Sequence, residues 1–134
     1  MPQGSDSLPK DRIPATRVLP MPADTNAAGD IFGGWLMSQV DIAGSIEAYR
    51  RAQGRIVTVA VNEFRFIKPV FVGDLVSFYA QIKRVGNTSI QVHVEAYAER
   101  NRNEEECHKV ADAELTYVAI DENRRPRSVD GDVG

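Results

Sequence analysis

The sequence predicts an α+β domain in which a five-stranded antiparallel sheet wraps around one long central helix. Three observations predict this fold class: a single long helical pattern, strand segments in which apolar and polar residues alternate, and a helix that falls between the first two strands. Because this helix is the only large cover that the sheet has, it must lie against the apolar face. The 134 residues, of which 43% are hydrophobic, suffice for one ordinary core.

The predicted order begins with a short strand at residues 13–19 and a loop at residues 20–34. The helix is predicted over residues 35–53, and Gly54 then provides a stop signal. Apolar residues cover much of the helix circumference, which indicates a buried helix rather than a surface one.

Four further strands complete the predicted sheet. The first, at residues 55–69, begins with β-branched residues on both faces and then alternates between apolar and charged residues. Such alternation is typical of an antiparallel sheet with one packed face and one wetter face. The remaining strands are predicted around residues 76–83, 90–96 and 111–119.

Composition sets the limits of the domain and of its partners. Residues 1–12 and residues 123–134 are rich in Pro, Gly, Ser and charged residues, so they are predicted to be mobile tails around a single domain at residues 13–122. A net charge of −3 and a pI near 5.4 argue against a nucleic-acid partner. No apolar run is long enough to span a membrane and no signal peptide is evident, so we expect a cytoplasmic protein with no membrane partner.

Metal and cofactor signals are missing from the sequence. The chain has one cysteine and two histidines, and neither histidine belongs to a motif with metal-ligand spacing. We therefore expect no metal ion and no cofactor.

The strongest functional signal is the segment at residues 21–41, which reads MPADTNAAGDIFGGWLMSQVD. A helix that opens on Gly33 and Gly34 exposes unpaired N–H groups at its positive end, and these can bind a phosphate, a carboxylate or the oxyanion of an acyl-transfer reaction. Asp30 precedes the glycines and Asp41 follows them, so the grouping predicts chemistry on a carbonyl. Two simpler interpretations stay open: the glycines serve a tight turn or close packing, and Asp30 caps the loop.

Asp41 lies between Val40 and Ile42, inside a helix where aspartate is unfavourable. It can act as a general base or as a nucleophile, or it can be a carboxylate satisfied by a nearby hydroxyl or amide. Gly34 and Asp41 are about 10 Å apart along a helix, so one carbonyl carbon cannot easily reach both in the same chain. If both act on it, Asp41 must come from a second subunit, which predicts an obligate dimer with paired sites.

Three segments resemble the acyl-CoA thioester hydrolases of the hotdog fold, in particular the bacterial YciA-type branch. They read MPADTNAAGDIFGGWLMSQVD, RIVTVAVNEFRFIKPVFVGD and KRVGNTSIQVHVE, and together they span residues 21–95. The resemblance implies hydrolysis of fatty acyl-CoA to the free acid and coenzyme A. It also implies dimers that assemble further into a homohexamer, and coenzyme A that enters as part of the substrate rather than as a cofactor.

The same resemblance assigns roles to individual residues. The catalytic carboxylate falls on Asp41, and the polar residue that precedes the paired glycines of the site falls on Asp30. The N–H groups of Gly33 and Gly34 are implied to polarise the thioester carbonyl. The residues implied to bind the substrate and its coenzyme A moiety are Asn26, Lys68, Gly86, Thr88 and Ser89.

Two other functions are considered. A hotdog hydratase or dehydratase usually needs a histidine base near the helix, and residues 1–50 contain no histidine. A non-catalytic acyl-CoA-binding or sensor module would not need Asp41. Release of coenzyme A distinguishes hydrolysis from both.

Overall fold

The computed structural model describes residues 6–131 and confirms the predicted architecture of one long helix and a five-stranded antiparallel sheet. The strands pair in the order β1-β3-β4-β5-β2, so β1 and β2 form the two edges. Short 3-10 turns occur at Pro22–Asp24 and Arg100–Arg102. The main elements are β1 (Thr16–Val18), α1 (Gly33–Ala52), β2 (Ile56–Phe66), β3 (Leu75–Val85), β4 (Ser89–Glu99) and β5 (Cys107–Ala119).

The core lies between α1 and one face of the sheet. The alternation in β4 and β5 places every second side chain on this face, and these side chains are almost completely buried. The buried stripe of α1 contains small residues, which let the helix approach the strands closely. Its members are Leu36, Val40, Ala43, Gly44, Ala48 and Ala52.

A second apolar stripe of α1 is exposed in the single chain. Ile42 and Tyr49 retain about half of their accessible surface, at 47% and 54%. The sequence predicts a helix buried over most of its circumference, and one sheet covers only one side of it. The remaining apolar surface therefore requires another cover.

The tail predicted at residues 1–12 needs correction from Asp6 onward. The Asp6 carboxylate accepts a hydrogen bond from the Lys109 N–H at 2.8 Å, and Arg12 forms an ion pair of 3.0 Å with Glu95. This segment contacts the outer face of the sheet. Its partners there are remote in sequence, so local composition could not predict the contacts. The rest of the prediction, at residues 1–5, lies outside the described residues.

Leu8 of this N-terminal segment packs over a small cluster on the outer face. The cluster contains Tyr79, Tyr97 and the single cysteine, Cys107, which is completely buried. The outer face of the sheet therefore carries an apolar patch of its own, separate from the main core.

The tail predicted at residues 123–134 also needs correction. Val129 is 3% exposed and belongs to the main core, and the Arg127 guanidinium donates a hydrogen bond of 2.7 Å to the Ala52 carbonyl at the end of α1. The polar composition of residues 123–134 predicted a tail and gave no sign that two of its side chains anchor it to the domain. The prediction for residues 132–134 lies outside the described residues.

No helix within residues 6–131 combines the length and the apolar character needed to cross a membrane.

Arg127→Ala tests whether the C-terminal segment stabilises the domain. We expect the free energy of unfolding to fall by about 1–2 kcal/mol, because a charged donor to the last turn of α1 is lost. Denaturant unfolding followed by circular dichroism measures the change. Arg125→Ala, at an exposed position of the same segment, is the control, and an equal loss in both variants would contradict the anchoring role.

Candidate active site

A pocket of about 290 Å³ opens at the first turn of α1. It brings together four residues that the sequence analysis selected, namely Asn26, Asp30, Gly33 and Lys68. Polar groups thus converge on one side of an otherwise apolar pocket, which is the usual composition of a small-molecule site. The apolar lining consists of Ile31, Leu36, Phe66, Ile67, Pro69 and Val70.

The loop before the helix is closed by Asn26. Its side-chain oxygen accepts hydrogen bonds from the N–H groups of Ala28 and Asp30, at 2.9 and 3.1 Å, and its own N–H donates to the Asp30 carbonyl at 2.7 Å. Gly29 completes the turn with a φ of +93°, which favours glycine. Because the backbone occupies the side-chain oxygen of Asn26, its NH₂ group is the part that can donate to a ligand.

The helix start presents two unpaired donors. The Phe32 carbonyl accepts the N–H groups of Trp35 and Leu36, and no acceptor within residues 6–131 binds those of Gly33 and Gly34. A Cβ at Gly33 would lie 3.0 Å from the Phe66 ring, so a larger residue would crowd the pocket. Gly33 thus lines the pocket, whereas Gly34 is not among its lining residues.

A partly buried ion pair holds the backbone of Phe71, the residue next to Val70, which lines this pocket. Asp74 is 1% exposed and accepts hydrogen bonds from the Arg100 guanidinium at 3.1 and 3.2 Å and from the Phe71 N–H at 3.0 Å. The guanidinium carbon also lies 4.8 Å from the Phe71 ring centroid. Val70, next to Phe71, accepts the Ile31 N–H at 2.9 Å, so this wall of the pocket is tied to the residues that lead into α1.

Asp41 has a different set of partners. Its Oδ1 atom accepts hydrogen bonds from the Thr58 hydroxyl at 2.8 Å and from the Tyr117 hydroxyl at 3.0 Å. Tyr117 also donates to the Asp41 backbone carbonyl at 2.9 Å. Both side-chain donors engage Oδ1, so neither occupies Oδ2. The sequence had left open a carboxylate satisfied by a neighbouring hydroxyl, and these contacts show that two hydroxyls satisfy Oδ1 of Asp41.

Asp41 does not line the pocket at Gly33. Thr58, which binds Asp41, lies opposite Tyr117 in the register of β2 and β5. Phe66, which lines the pocket, lies opposite Ala111. These two register positions are six residues apart along β5, which is about 20 Å at the usual rise of a strand. A single chain therefore holds the predicted site residues as two groups near opposite ends of the β2–β5 ladder.

The turn between β3 and β4 lies at the Asp41 end of that ladder. Ser89 pairs with Val118, the neighbour of Tyr117, and the Thr88 carbonyl accepts the Ala119 N–H at 2.9 Å. Gly86 donates its N–H to the Ser89 carbonyl at 2.8 Å, which closes the turn. A small polar cleft opens beside it, lined by Arg84, Gly86, Ser89, Gln91 and Thr116.

Thr58 and Tyr117 are two further residues of the site that the sequence did not predict. Thr58 lies in a run of β-branched residues, where threonine is expected for its strand propensity alone. Tyr117 lies at a position of β5 where any large apolar residue would fit the alternation. The one signal for Thr58 was a hydroxyl in an otherwise apolar run.

The two histidines have different surroundings, and only His108 contacts a residue that lines the pocket at Gly33, namely Lys68. His93 contacts Glu114 on the outer face at 3.3 Å, and the His108 Nδ1 lies 3.3 Å from the Lys68 Nζ. Neither ring lines the pocket at Gly33. Within the described part of the chain, no group of three or more His, Cys, Asp or Glu side chains could hold a metal ion.

Comparison with known proteins gives three findings. The model of the thioesterase superfamily matches residues 28–105. The acyl-CoA thioester hydrolase YciA of Salmonella typhimurium is 46% identical over 124 residues, which cover 91% of this chain and 92% of that one. A hexameric broad-specificity acyl-coenzyme A thioesterase, solved as an aspartate-to-alanine mutant, is 46% identical with a TM-score of 0.85, and the match covers 92% of this chain and 90% of that one.

A more distant similarity bears on Asp41. An acyl-CoA hydrolase from Staphylococcus aureus is 28% identical with a TM-score of 0.77, and the match covers 84% of this chain and 69% of that one. Its structure was solved with an aspartate replaced by alanine and, separately, with a threonine replaced by alanine. Those two positions are 17 residues apart in that chain, and Asp41 and Thr58 are 17 residues apart in this one.

Asp74→Asn tests the ion pair behind the pocket wall. We expect the free energy of unfolding to fall by about 2–3 kcal/mol, because the change leaves the Arg100 charge without its buried partner. Denaturant unfolding gives the value, and Glu104→Gln, the same chemical change at an exposed position, is the control. A loss below about 0.5 kcal/mol, the range of ordinary surface substitutions, would show that the pair does not hold the wall.

Proposed function

This chain belongs to the thioesterase superfamily, and from that premise we propose that it is an acyl-CoA thioesterase, which hydrolyses fatty acyl-CoA to the free carboxylic acid and coenzyme A. The observation that carries the proposal is the Asp41 carboxylate, bound by Thr58 on the neighbouring strand. The spacing of this pair equals that of the aspartate and threonine replaced in the Staphylococcus aureus acyl-CoA hydrolase.

A complete site requires two chains, and β2 supplies the surface that joins them. It is an edge strand with exposed apolar side chains, including Val59 and Val61 at 54% and 44%. Antiparallel pairing of two β2 strands about a two-fold axis brings the Ile56 end of one beside the Phe66 end of the other. The Asp41 group of one subunit then meets the Gly33 pocket of its partner.

The dimers assemble further as a homohexamer, a trimer of dimers. Support comes from the hexameric state of the 46% identical thioesterase and from the apolar surface that a single chain leaves uncovered. The cytoplasmic location and the independence from any cofactor stay predictions of the sequence.

In the assembled site, the thioester carbonyl oxygen accepts hydrogen bonds from the N–H groups of Gly33 and Gly34. These donors stabilise the negative charge that develops on the oxygen as the carbonyl carbon becomes tetrahedral. Asp30 and the Asn26 NH₂ group lie beside the same pocket and orient the substrate. Apolar residues of the lining exclude water from the acyl group.

Asp41 supplies the second half of the chemistry by one of two routes. As a general base, it takes a proton from water, the resulting hydroxide attacks the carbonyl carbon, and the coenzyme A thiolate leaves. As a nucleophile, its Oδ2 attacks the carbonyl carbon and the coenzyme A thiolate leaves to give a mixed anhydride, which water then hydrolyses to the free acid and the Asp41 carboxylate. Both routes use the carboxylate oxygen that Thr58 and Tyr117 do not occupy.

The phosphates of coenzyme A bind at the β3–β4 turn and at Lys68. Gly86 and Ser89 of the turn line the cleft together with Arg84, which adds a positive charge, and Thr88 precedes Ser89 in the same turn. Because this turn lies at the Asp41 end of the sheet, it and Asp41 belong to the same subunit of a given site.

Neither alternative function gains support. The histidines lie outside the pocket at Gly33, which disfavours a hydratase or dehydratase. A sensor module would have no use for a carboxylate with one oxygen that neither hydroxyl occupies opposite a pair of unpaired N–H donors.

The first experiment measures thiol release from acyl-CoAs of increasing chain length, with Asp41→Asn beside the wild type. We expect the wild type to release coenzyme A, and Asp41→Asn to lower kcat by about 100-fold or more, because a general base or nucleophile is lost. Light scattering should show that the variant keeps its hexamer, since Asn fills the same space.

Glu47→Gln is the matched control, a partly buried carboxylate on the same helix, and it should retain activity. Full activity in Asp41→Asn would remove Asp41 from the mechanism. No thiol release from any acyl-CoA would overturn the enzyme proposal, and mass spectrometry of the products would reveal hydration in place of hydrolysis.

A mixing experiment tests whether the site is shared. Asp41→Asn and Gly33→Val, which places a side chain against the Phe66 ring, should each be inactive alone. Co-assembled in equal amounts, they should recover about a quarter of the wild-type activity, because half of the two-fold dimers are mixed and each mixed dimer has one intact site. A mixture no more active than its components would place Asp41 and Gly33 in the same functional chain.

A further inference from the structure

Tyr117 reaches from the core face of β5 to the helix that carries Asp41. Its side chain is completely buried, and its hydroxyl is shared between the Asp41 backbone carbonyl at 2.9 Å and the Asp41 Oδ1 at 3.0 Å. One donor therefore contacts both the backbone and the carboxylate of the same residue. This contact limits the rotation of the carboxylate relative to the helix.

Gly44 provides the space that this hydroxyl occupies. A Cβ at this position would overlap the Tyr117 hydroxyl oxygen and would lie 3.2 Å from the adjacent ring carbon. Gly44 is three residues after Asp41, so it lies on the same side of the helix. A glycine in a helix interior destabilises it by about 0.5–1 kcal/mol relative to alanine, so a packing need is its natural explanation.

The two side-chain donors to Asp41 differ in their surroundings. Thr58 lies on the exposed edge strand, whereas Tyr117 is held by the packed core on all sides. Burial, and after it the negative charge of Asp41, raises the pKa of the Tyr117 phenol well above its usual value. Tyr117 therefore stays protonated near neutral pH and acts as a hydrogen-bond donor rather than as a proton acceptor.

We propose that Tyr117 is a positioning residue, which fixes the Asp41 carboxylate so that Oδ2 faces the substrate, and that Gly44 is required to seat its hydroxyl. This inference rests on the proposed thioesterase function. It assigns the hydroxyl a role in turnover beyond the filling of the core, which the ring alone would accomplish. Loss of the hydroxyl should leave substrate binding intact and slow the chemical step.

Tyr117→Phe tests the proposal, because it removes only the hydroxyl. We expect kcat for acyl-CoA hydrolysis to fall by about 10-fold while KM stays within about twofold, since an interaction used after binding is lost. Tyr79→Phe is the matched control: Tyr79 is a buried tyrosine of the outer-face cluster and should retain wild-type kcat. Thermal unfolding of both variants gives the accompanying change in stability.

Gly44→Ala provides an independent variant. The added methyl group should displace the hydroxyl, so kcat should fall as in Tyr117→Phe and the melting temperature should drop. In the double variant Gly44→Ala/Tyr117→Phe the overlap with the hydroxyl is gone and only the 3.2 Å approach to the ring carbon remains. We therefore expect its melting temperature to exceed that of Gly44→Ala and its kcat to match that of Tyr117→Phe.

Three results would overturn the inference. They are a wild-type kcat in Tyr117→Phe, a rise in KM that accounts for the whole loss of kcat/KM in that variant, and an equal loss of kcat in Tyr79→Phe. The wild-type enzyme is the internal reference in each assay. Absence of wild-type hydrolysis refutes the proposed function itself, whereas wild-type hydrolysis with an unimpaired Tyr117→Phe refutes only the positioning role.

Discussion

Small residues along one stripe of α1, among them Ala43, Gly44 and Ala48, let the helix pack closely on the sheet, and both halves of the site depend on this contact. The contact brings Asp41 within reach of hydroxyls from two strands. It also sets the direction of the helix start, whose N–H groups open onto a pocket walled by the segment after β2. Bulkier residues in this stripe would move the helix away from the strands. Asp41 would then lose its hydroxyl donors, and the N–H groups of the helix start would move away from the pocket.

Periodicity was sufficient to predict the fold, because a helix and an antiparallel sheet with one packed face differ in their apolar repeat. It also led to the glycines at the helix start and to Asp41, which local propensity marks as unusual. Periodicity could not predict contacts between residues that are remote in sequence. Polar segments at both ends contain anchors such as Asp6 and Val129, and Tyr117 looks like an ordinary core residue until its hydroxyl is placed against Asp41.

In the proposed mechanism, the separation of the Gly33 pocket and the Asp41 group along the β2–β5 ladder makes activity a property of the assembly. Every chain carries both a Gly33 pocket and an Asp41 group, but it cannot bring its own two groups together. The exposed apolar edge of β2 is then more than a surface to be covered, since its pairing determines which groups face each other. In the proposed shared site, subunit association and catalytic competence are linked by mass action, so dilution below the dimer dissociation constant would lower the fraction of dimers and the activity together.

Cys107 makes the folded protein nearly unreactive toward thiol reagents. It is the only cysteine of the chain, it is completely buried beneath the N-terminal segment, and burial, with smaller contributions from Glu99 and Asp6, raises its pKa to about 11. A thiol with so little thiolate and no access reacts slowly. The folded protein should therefore add almost no background signal when a chromogenic thiol reagent is used to titrate liberated coenzyme A. The slow labelling of the one sulfur per chain then measures the rate at which the outer face opens.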